Sequence, residues 1–373
     1  MAKSNFYIKN KEIFLLKLSI TNACNMRCRY CFVRKKDEFM DFPTAQKAIR
    51  FFLFSRGINK ILILYGGEPL LNPIWQDIII FAKEIAKSLN KKLVVAMATN
   101  GLLLDERNLL FLKKHKVALS ISIDGRKLAH TANKKYINIK HGYSLLLKKI
   151  SLATRILKGQ SLSALMTIDP GLSHNLYSNF KFIIKLGFTK VHIDPVHGLV
   201  WQAKQKQEFL MNFKRILDFV LKRIENKKYI FINPLFNPAN RLFFEVNFKN
   251  EFCPFYKDLE IYPMGEIAFS QFLLNSPIKK IMKSAIIGNI KEDYLVSNKY
   301  KKCYPDSASN NCQHCLLQYY NDIRDPKLKG AELVRDRDKI LGVMIRNIYY
   351  NSVFNNNDRD YLMALKKQIN LLI

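Results

Sequence analysis

Six short apolar runs rich in Ile, Leu and Val recur through the first half of the chain. They are residues 13–20 (IFLLKLSI), 60–65 (KILILY), 92–98 (KLVVAMA), 117–123 (VALSISI), 162–168 (LSALMTI) and 190–195 (KVHIDP). Runs of this kind are the mark of parallel strands covered on both faces. Helix-like stretches lie between them, near 44–56, 73–89, 105–115, 141–158 and 174–187. Pro43-Thr44 precedes the first, Asn72-Pro73 opens the second, and Asp105 precedes the third with Glu106 in its first turn. Gly57 and Gly187 follow the ends of two of them. Alternation of this type builds right-handed βαβ units around a parallel sheet. Six units predict an α/β fold, an incomplete TIM-like (β/α)6 barrel rather than a closed eight-unit one. Chemistry in such folds sits on the loops after the strands. Each unusual sequence falls there: TNACNMRCRYC after the first strand, GGEP after the second, TNG after the third, DG at the end of the fourth.

The rest of the chain is organised differently. Residues 201–228 read as an amphipathic basic helix and 229–250 as a linker or irregular cap. Residues 253–320 hold four cysteines and a hairpin-like stretch, LEIYPMGEIAFSQF, turning at Met264-Gly265. Residues 331–373 read as largely helical. The expected units are a barrel over 1–200, a basic helix and linker over 201–250, a cysteine-containing extension over 251–325 and a helical tail over 326–373.

At 373 residues, 49% hydrophobic and 24% charged, the chain has the composition of a globular protein rather than a disordered or fibrous one. No apolar run approaches the ~18 residues that span a bilayer, and MAKSNFYIKNKEIF lacks a signal-peptide core. A cytoplasmic location is expected. The net charge of +31 attracts acidic partners. It comes with a general abundance of Lys and no RNA-binding or helix-turn-helix signature, so nucleic acid is not the expected partner.

Cysteine is the informative residue. Cys24, Cys28 and Cys31 are packed into eight residues; Cys253, Cys303, Cys312 and Cys315 lie in the last third. An odd, clustered set suits metal thiolates better than disulfides. Cys24-x3-Cys28-x2-Cys31 can hold three irons of a [4Fe-4S] cluster and leave the fourth open. The alternative is a zinc knuckle, which needs a fourth Cys or His nearby; the nearest His is His115. The four late cysteines can supply a second cluster or a structural zinc.

CxxxCxxC after the first strand, with Tyr30 before the third cysteine, resembles the signature of radical S-adenosylmethionine (SAM) enzymes. Tyr65-Gly66-Gly67-Glu68-Pro69 resembles that family's GGEP motif, Thr99-Asn100-Gly101 its TNG turn, and Ser120 to Gly125 its SxDG strand end. The match runs in order over about residues 13 to 195. The resemblance implies a [4Fe-4S] cluster on Cys24, Cys28 and Cys31, with SAM chelated at the open iron. Reductive cleavage of SAM then gives a 5′-deoxyadenosyl radical that abstracts hydrogen from substrate. It also implies that Gly66 and Gly67 let backbone approach the methionine moiety, that Glu68 holds its amine, and that Pro69 stiffens the turn. Thr99 and Asn100 shape the next turn. The resemblance implies that Tyr30 packs near the adenine and that Ser122 contacts the ribose, with Asp124 ending the strand, and His192 comes from a strand whose end would face the adenine.

The late cysteines resemble the SPASM or twitch extension of these enzymes, with departures. Ser270 and Asp306 stand where a full SPASM domain has cysteine, and no cysteine follows Cys315. One auxiliary [4Fe-4S] cluster on Cys253, Cys303, Cys312 and Cys315 is therefore expected, not two. Enzymes of this architecture mostly modify peptides or protein side chains by cross-linking, epimerisation or oxidation. The implied partners are a peptide or protein substrate with an acidic leader and a ferredoxin or flavodoxin reductant. A separate peptide carrier, or direct docking on the 201–250 region, is expected as well, since the first strand begins about 13 residues in. A radical SAM dehydrogenase or cofactor-synthesis enzyme acting on a small molecule is the second reading. A non-catalytic zinc-binding protein is the third. Asp194, Asp258 and Glu266 are the candidates for a catalytic acid or base, on nearness to the barrel mouth.

Overall fold

The computed structural model describes residues 12–158, 161–196, 199–233, 258–268, 286–295, 340 and 356–370. The six expected strands are β1 (Leu15–Thr21), β3 (Asn59–Gly66), β4 (Lys92–Thr99), β5 (Ala118–Ser122), β7 (Leu162–Ile168) and β8 (Lys190–Pro195). They lie side by side in chain order, all parallel. Right-handed crossovers between successive strands put every connecting helix on one face. Those helices are α1 (Phe42–Leu53), α2 (Trp75–Ser88), α3 (Glu106–Lys114), α4 (Lys127–Thr131), α5 (Gly142–Ile156) and α6 (Leu176–Lys185). Two of these helices are capped by side-chain hydrogen bonds. Asp41 accepts from the Thr44 amide at 2.8 Å and Asp105 from the Asn108 amide at 2.7 Å. Asn72 does something else: its amide group donates to the Ile20 and Met40 carbonyls, tying two other segments, and α2 starts at Trp75.

Alternate strand residues make the two faces. Leu18, Leu64, Met97, Ile121, Met166 and Ile193 are buried beneath the helices. Lys17, Tyr65, Ala98, Ser122, Thr167 and His192, on the opposite parity, form the inner, more polar face. This is the partial TIM-like barrel.

Three short strands had no signal in the sequence. Strands β2 (Met26–Cys28) and β6 (Lys134–Tyr136) pair antiparallel as a separate two-stranded sheet. Strand β9 (Phe231–Asn233) adds to β8. At the other edge β10 (Asp258–Ile261) pairs parallel with β1, then β11 (Glu266–Ala268), β12 (Ile286–Asn289) and β13 (Tyr294–Leu295) follow antiparallel. The expected hairpin is thus β10–β11, closed by the Gly265 amide on the Tyr262 carbonyl at 2.8 Å. It continues the barrel sheet rather than forming a layer apart from it. The basic helix is α7 (Ala203–Glu225), with Phe209, Phe213, Ile216 and Val220 on its buried stripe. In the tail, α8 (Asn356–Asn370) packs Tyr361 against Phe231. Among the described residues no helix is long and apolar enough to cross a membrane.

Candidate functional site

The loop between β1 and α1 carries Cys24, Cys28 and Cys31, and its base is closed by its own polar groups. Thr21 Oγ1 donates to the Glu38 carbonyl at 2.7 Å and accepts from the Ala23 amide. Asn22 donates to the Glu38 carboxylate at 2.7 Å. The rest of the loop is held by the ends of the neighbouring strands.

The GGEP segment lies directly on it. The Gly67 amide donates to the Thr21 carbonyl at 2.7 Å, and the Glu68 amide to the Ala23 carbonyl at 2.8 Å. A Cβ at Gly66 would sit 2.3 Å from the Thr21 oxygen, and one at Gly67 2.0 Å from the Ala23 oxygen. Both glycines are required by the cysteine loop's own backbone, before any ligand is considered. Pro69 opens a short 3₁₀ turn, Pro69–Leu71, capped by the Glu68 side chain.

Glu68 is completely buried. Its carboxylate accepts from Thr99 Oγ1 at 2.6 Å, the Asn100 amide at 2.7 Å and the Leu70 amide at 3.2 Å. Burial raises its pKa to about 6, against the lowering effect of those three donors. The carboxylate thus joins the GGEP turn to the TNG turn, a task the sequence did not suggest. Asn100 passes the link on: its Nδ2 donates to Asn25 Oδ1 at 2.7 Å and lies 3.9 Å from Cys24 Sγ.

The limb carrying Cys28 and Cys31 is held from the other side. The Arg29 amide donates to the Asn133 carbonyl at 2.8 Å, and its guanidinium pairs with Asp169 at 2.7 Å. Tyr30 donates its hydroxyl to Asp124 Oδ2 at 2.9 Å. Asp124 Oδ1 accepts from Lys134 Nζ at 3.0 Å and the Thr167 amide at 3.1 Å. Burial, then the Asp124 charge, push the Tyr30 phenol well up. Lys134, Arg29, Asn25 and Asp169 were not found in the sequence; nothing marks a lysine in NKKY as a buried counter-ion.

The three thiols suit the group expected of them. Each is free and partly buried. Burial pushes the Cys28 thiol up to about 11, with Lys134 acting the other way and Cys31 and Cys24 each adding to the rise; Cys24 is raised too, again mainly by burial. Thiols like these stay protonated until a metal takes their protons. Among the described residues no three His, Cys, Asp or Glu side chains converge on one ion-sized point.

The remaining candidates are scattered. His192 and Asp194 lie on β8, paired with Leu165 and Thr167. Burial lowers the His192 pKa, so the ring is neutral near pH 7. Ser122 lies on the inner face of β5. Asp258 and Glu266 lie on β10 and β11, at the far end of the strand order from β8. Glu266 is raised mainly by burial. Asp194 and Glu266 thus stand on strands at opposite ends of the strand order from β8 to β11. Glu260 of β10, in register with Lys17, is a further carboxylate on the inner face. It accepts from Lys17 at 3.0 Å, Tyr65 at 3.2 Å and Tyr262 at 2.6 Å. Cys253, Cys303, Cys312 and Cys315 lie outside the described residues.

Comparison with known proteins agrees with this geometry. Residues 18–177 match the model of the radical SAM superfamily and are a radical SAM domain. The cysteine-type anaerobic sulfatase-maturating enzyme of Clostridium novyi (strain NT) is 22% identical over 222 residues, 57% of this chain and 59% of that one. The GTP 3′,8-cyclase of Corynebacterium glutamicum is 36% identical over 100 residues, 25% of this chain and 26% of that one. The chain thus spans between about a quarter and three-fifths of the curated relatives it matches. The solved structure of native anSMEcpe with bound AdoMet and Cp18Cys peptide superposes with a TM-score of 0.64 at 17% identity, covering 88% of this chain and 99% of that one. At that identity the likeness is one of fold.

Proposed function

We propose that the protein is a radical SAM enzyme that abstracts hydrogen from a peptide or protein side chain and so modifies it, by cross-linking, epimerisation or oxidation. The observation that carries the reading is the reach of the fold likeness. The anSMEcpe complex, whose title names a bound peptide, is matched over 88% of this chain, well past the radical SAM domain at 18–177. The GTP 3′,8-cyclases support the second reading, a small-molecule substrate, but over only 25% of the chain in the example above.

Cys24, Cys28 and Cys31 would hold a [4Fe-4S] cluster and SAM its open iron. Bound there, the pair supplies a 5′-deoxyadenosyl radical. Gly66, Gly67, Glu68, Pro69, Thr99 and Asn100 fix the Cys24 limb. Tyr30, Ser122, Asp124 and His192 line the side assigned to ribose and adenine. Asp194, Asp258 and Glu266 stay candidates for the substrate's acid or base, with Glu260 now added. Cys253, Cys303, Cys312 and Cys315 would hold one auxiliary [4Fe-4S] cluster. The basic surface suits an acidic leader. A ferredoxin or flavodoxin donor, a separate carrier for the peptide and a cytoplasmic setting complete the proposal.

The test uses anaerobically reconstituted full-length protein. Iron and sulfide per chain should be about eight in the wild type and about four in Cys24/Cys28/Cys31→Ala, with SAM cleavage by dithionite only in the wild type. Perdeuterated cell extract, split into peptide and metabolite fractions, then separates the two readings. Deuterium in 5′-deoxyadenosine from the peptide fraction is expected. Deuterium from the metabolite fraction alone would establish the small-molecule reading.

A further inference from the structure

Nothing so far gives a task to Lys134, the buried partner of Asp124 beside the cysteine loop. Asp124 and Lys134 are each only 4% exposed, 3.0 Å apart. Such pairs seldom repay their desolvation in stability, and apolar residues of the same volume serve folding as well or better. The pair therefore calls for an explanation in geometry.

Asp124 meets four segments at once. Its Oδ2 accepts from Tyr30 of the cysteine loop, and its Oδ1 from Lys134 of β6 and the Thr167 amide of β7. Its own amide donates to His130 Nδ1 at 3.3 Å. Tyr30 stands between Cys28 and Cys31. Lys134 is registered opposite Cys28 in the β2–β6 pair. Ser122, two residues before Asp124, ends β5 on the inner face.

We propose that Asp124 is a positioning residue for the cysteine loop, clamping its Cys28–Cys31 limb to the end of β5 through the Tyr30 hydroxyl, with Lys134 as the buried counter-charge. One rigid strand end then fixes the height of the cluster relative to the ribose side of the site at Ser122. This assigns the Tyr30 hydroxyl a task separate from its ring. The inference rests on the reading of Cys24, Cys28 and Cys31 as cluster ligands.

Tyr30→Phe removes only the hydroxyl and keeps the ring for packing. Asp124→Ala paired with Lys134→Met removes the acceptor of the clamp without stranding a buried ammonium. Wild type, both variants and their combination are reconstituted anaerobically. Iron and sulfide, the electron paramagnetic resonance spectrum of the reduced cluster with and without SAM, and the Kd for SAM are measured. Iron near the Cys24 site should stay at the wild-type level in Tyr30→Phe. The Kd should rise about tenfold or more, the loss expected for a buried hydrogen bond to a charged group. The change that SAM makes in the spectrum should differ from the wild type. The combined variant should be no weaker than the worse of its parents, because both act through one bond. A Tyr30→Phe protein with wild-type Kd and spectrum overturns the clamp, as do penalties that add. A wild type that takes up no iron overturns the cluster reading and the clamp with it, so the two failures are told apart by the wild type alone.

Discussion

Gly67→Ala should remove the cluster without touching a ligand. The new methyl would lie 2.0 Å from the Ala23 oxygen and 2.7 Å from its carbonyl carbon. Real Cβ atoms essentially never come within 3.0 Å of another heavy atom. One of the two backbones must therefore retreat by about 1 Å. Neither is a flexible side chain that swings aside. Ala23 immediately precedes Cys24, so the retreat is passed to the first of the proposed ligands. Metal–ligand distances tolerate only about 0.2 Å, and a functional constellation about 0.5 Å. The retreat also breaks the Gly67–Thr21 and Glu68–Ala23 hydrogen bonds, each worth about 1 kcal/mol. The variant should unfold about 2 kcal/mol more easily and should lose about four irons per chain on reconstitution. Gly187→Ala is the control. Its φ is +98°, but the nearest atom to a Cβ there is a Thr154 methyl at 3.4 Å. It should cost about 1 kcal/mol of backbone strain and no iron. Wild-type iron and wild-type SAM affinity in Gly67→Ala would refute the claim that the glycines serve the loop.

Two other predictions concern buried charge. Glu68→Gln keeps the shape but sets an NH₂ group against a donor, since Thr99, Asn100 and Leu70 all donate to this carboxylate. It should destabilise the protein by about 1–3 kcal/mol in the absence of SAM; an unchanged Tm without SAM would mean that the carboxylate does not link the two turns. Lys60, at the opposite end of β3, is fully buried and donates at 2.6 Å to the Ile13 carbonyl, Ser55 Oγ and the Arg56 carbonyl. Burial lowers it to about 7. An unfolded lysine keeps its proton up to about 10.4, so between those pH values the unfolded chain binds more protons and stability rises with pH. From pH 7 to 9 the gain from this group is about 2 kcal/mol. Denaturant unfolding at both pH values should show that gain in the wild type and its loss in Lys60→Met; identical slopes would refute it.

What the sequence disclosed follows from how far apart the interacting residues lie. Parallel strands buried on both faces must be apolar along their length, so all six were visible, as were the caps at Asp105 and near Pro43. Three-residue strands carry no period, and β2, β6 and β9 were missed. The pairing of β10 with β1 joins residues more than 240 apart, with Lys17 facing Glu260 in register; no local pattern encodes it. The motifs were legible as motifs, because glycine pairs, a buried glutamate and a TNG turn at successive strand ends are improbable together. Their use was less legible. In the sequence GGEP reads as a contact with the SAM methionine, TNG as a turn and the DG strand end as the ribose side. In the structure each also contacts the cysteine loop: Gly67 and Glu68 at Thr21 and Ala23, Asn100 at Asn25, Asp124 at Tyr30. A loop that must hold three thiols in fixed positions, with only a three-residue strand of its own, cannot do so alone. The residues that would meet the cofactor are also the walls of the mould for its cluster, which makes each of them costly to replace for two reasons rather than one.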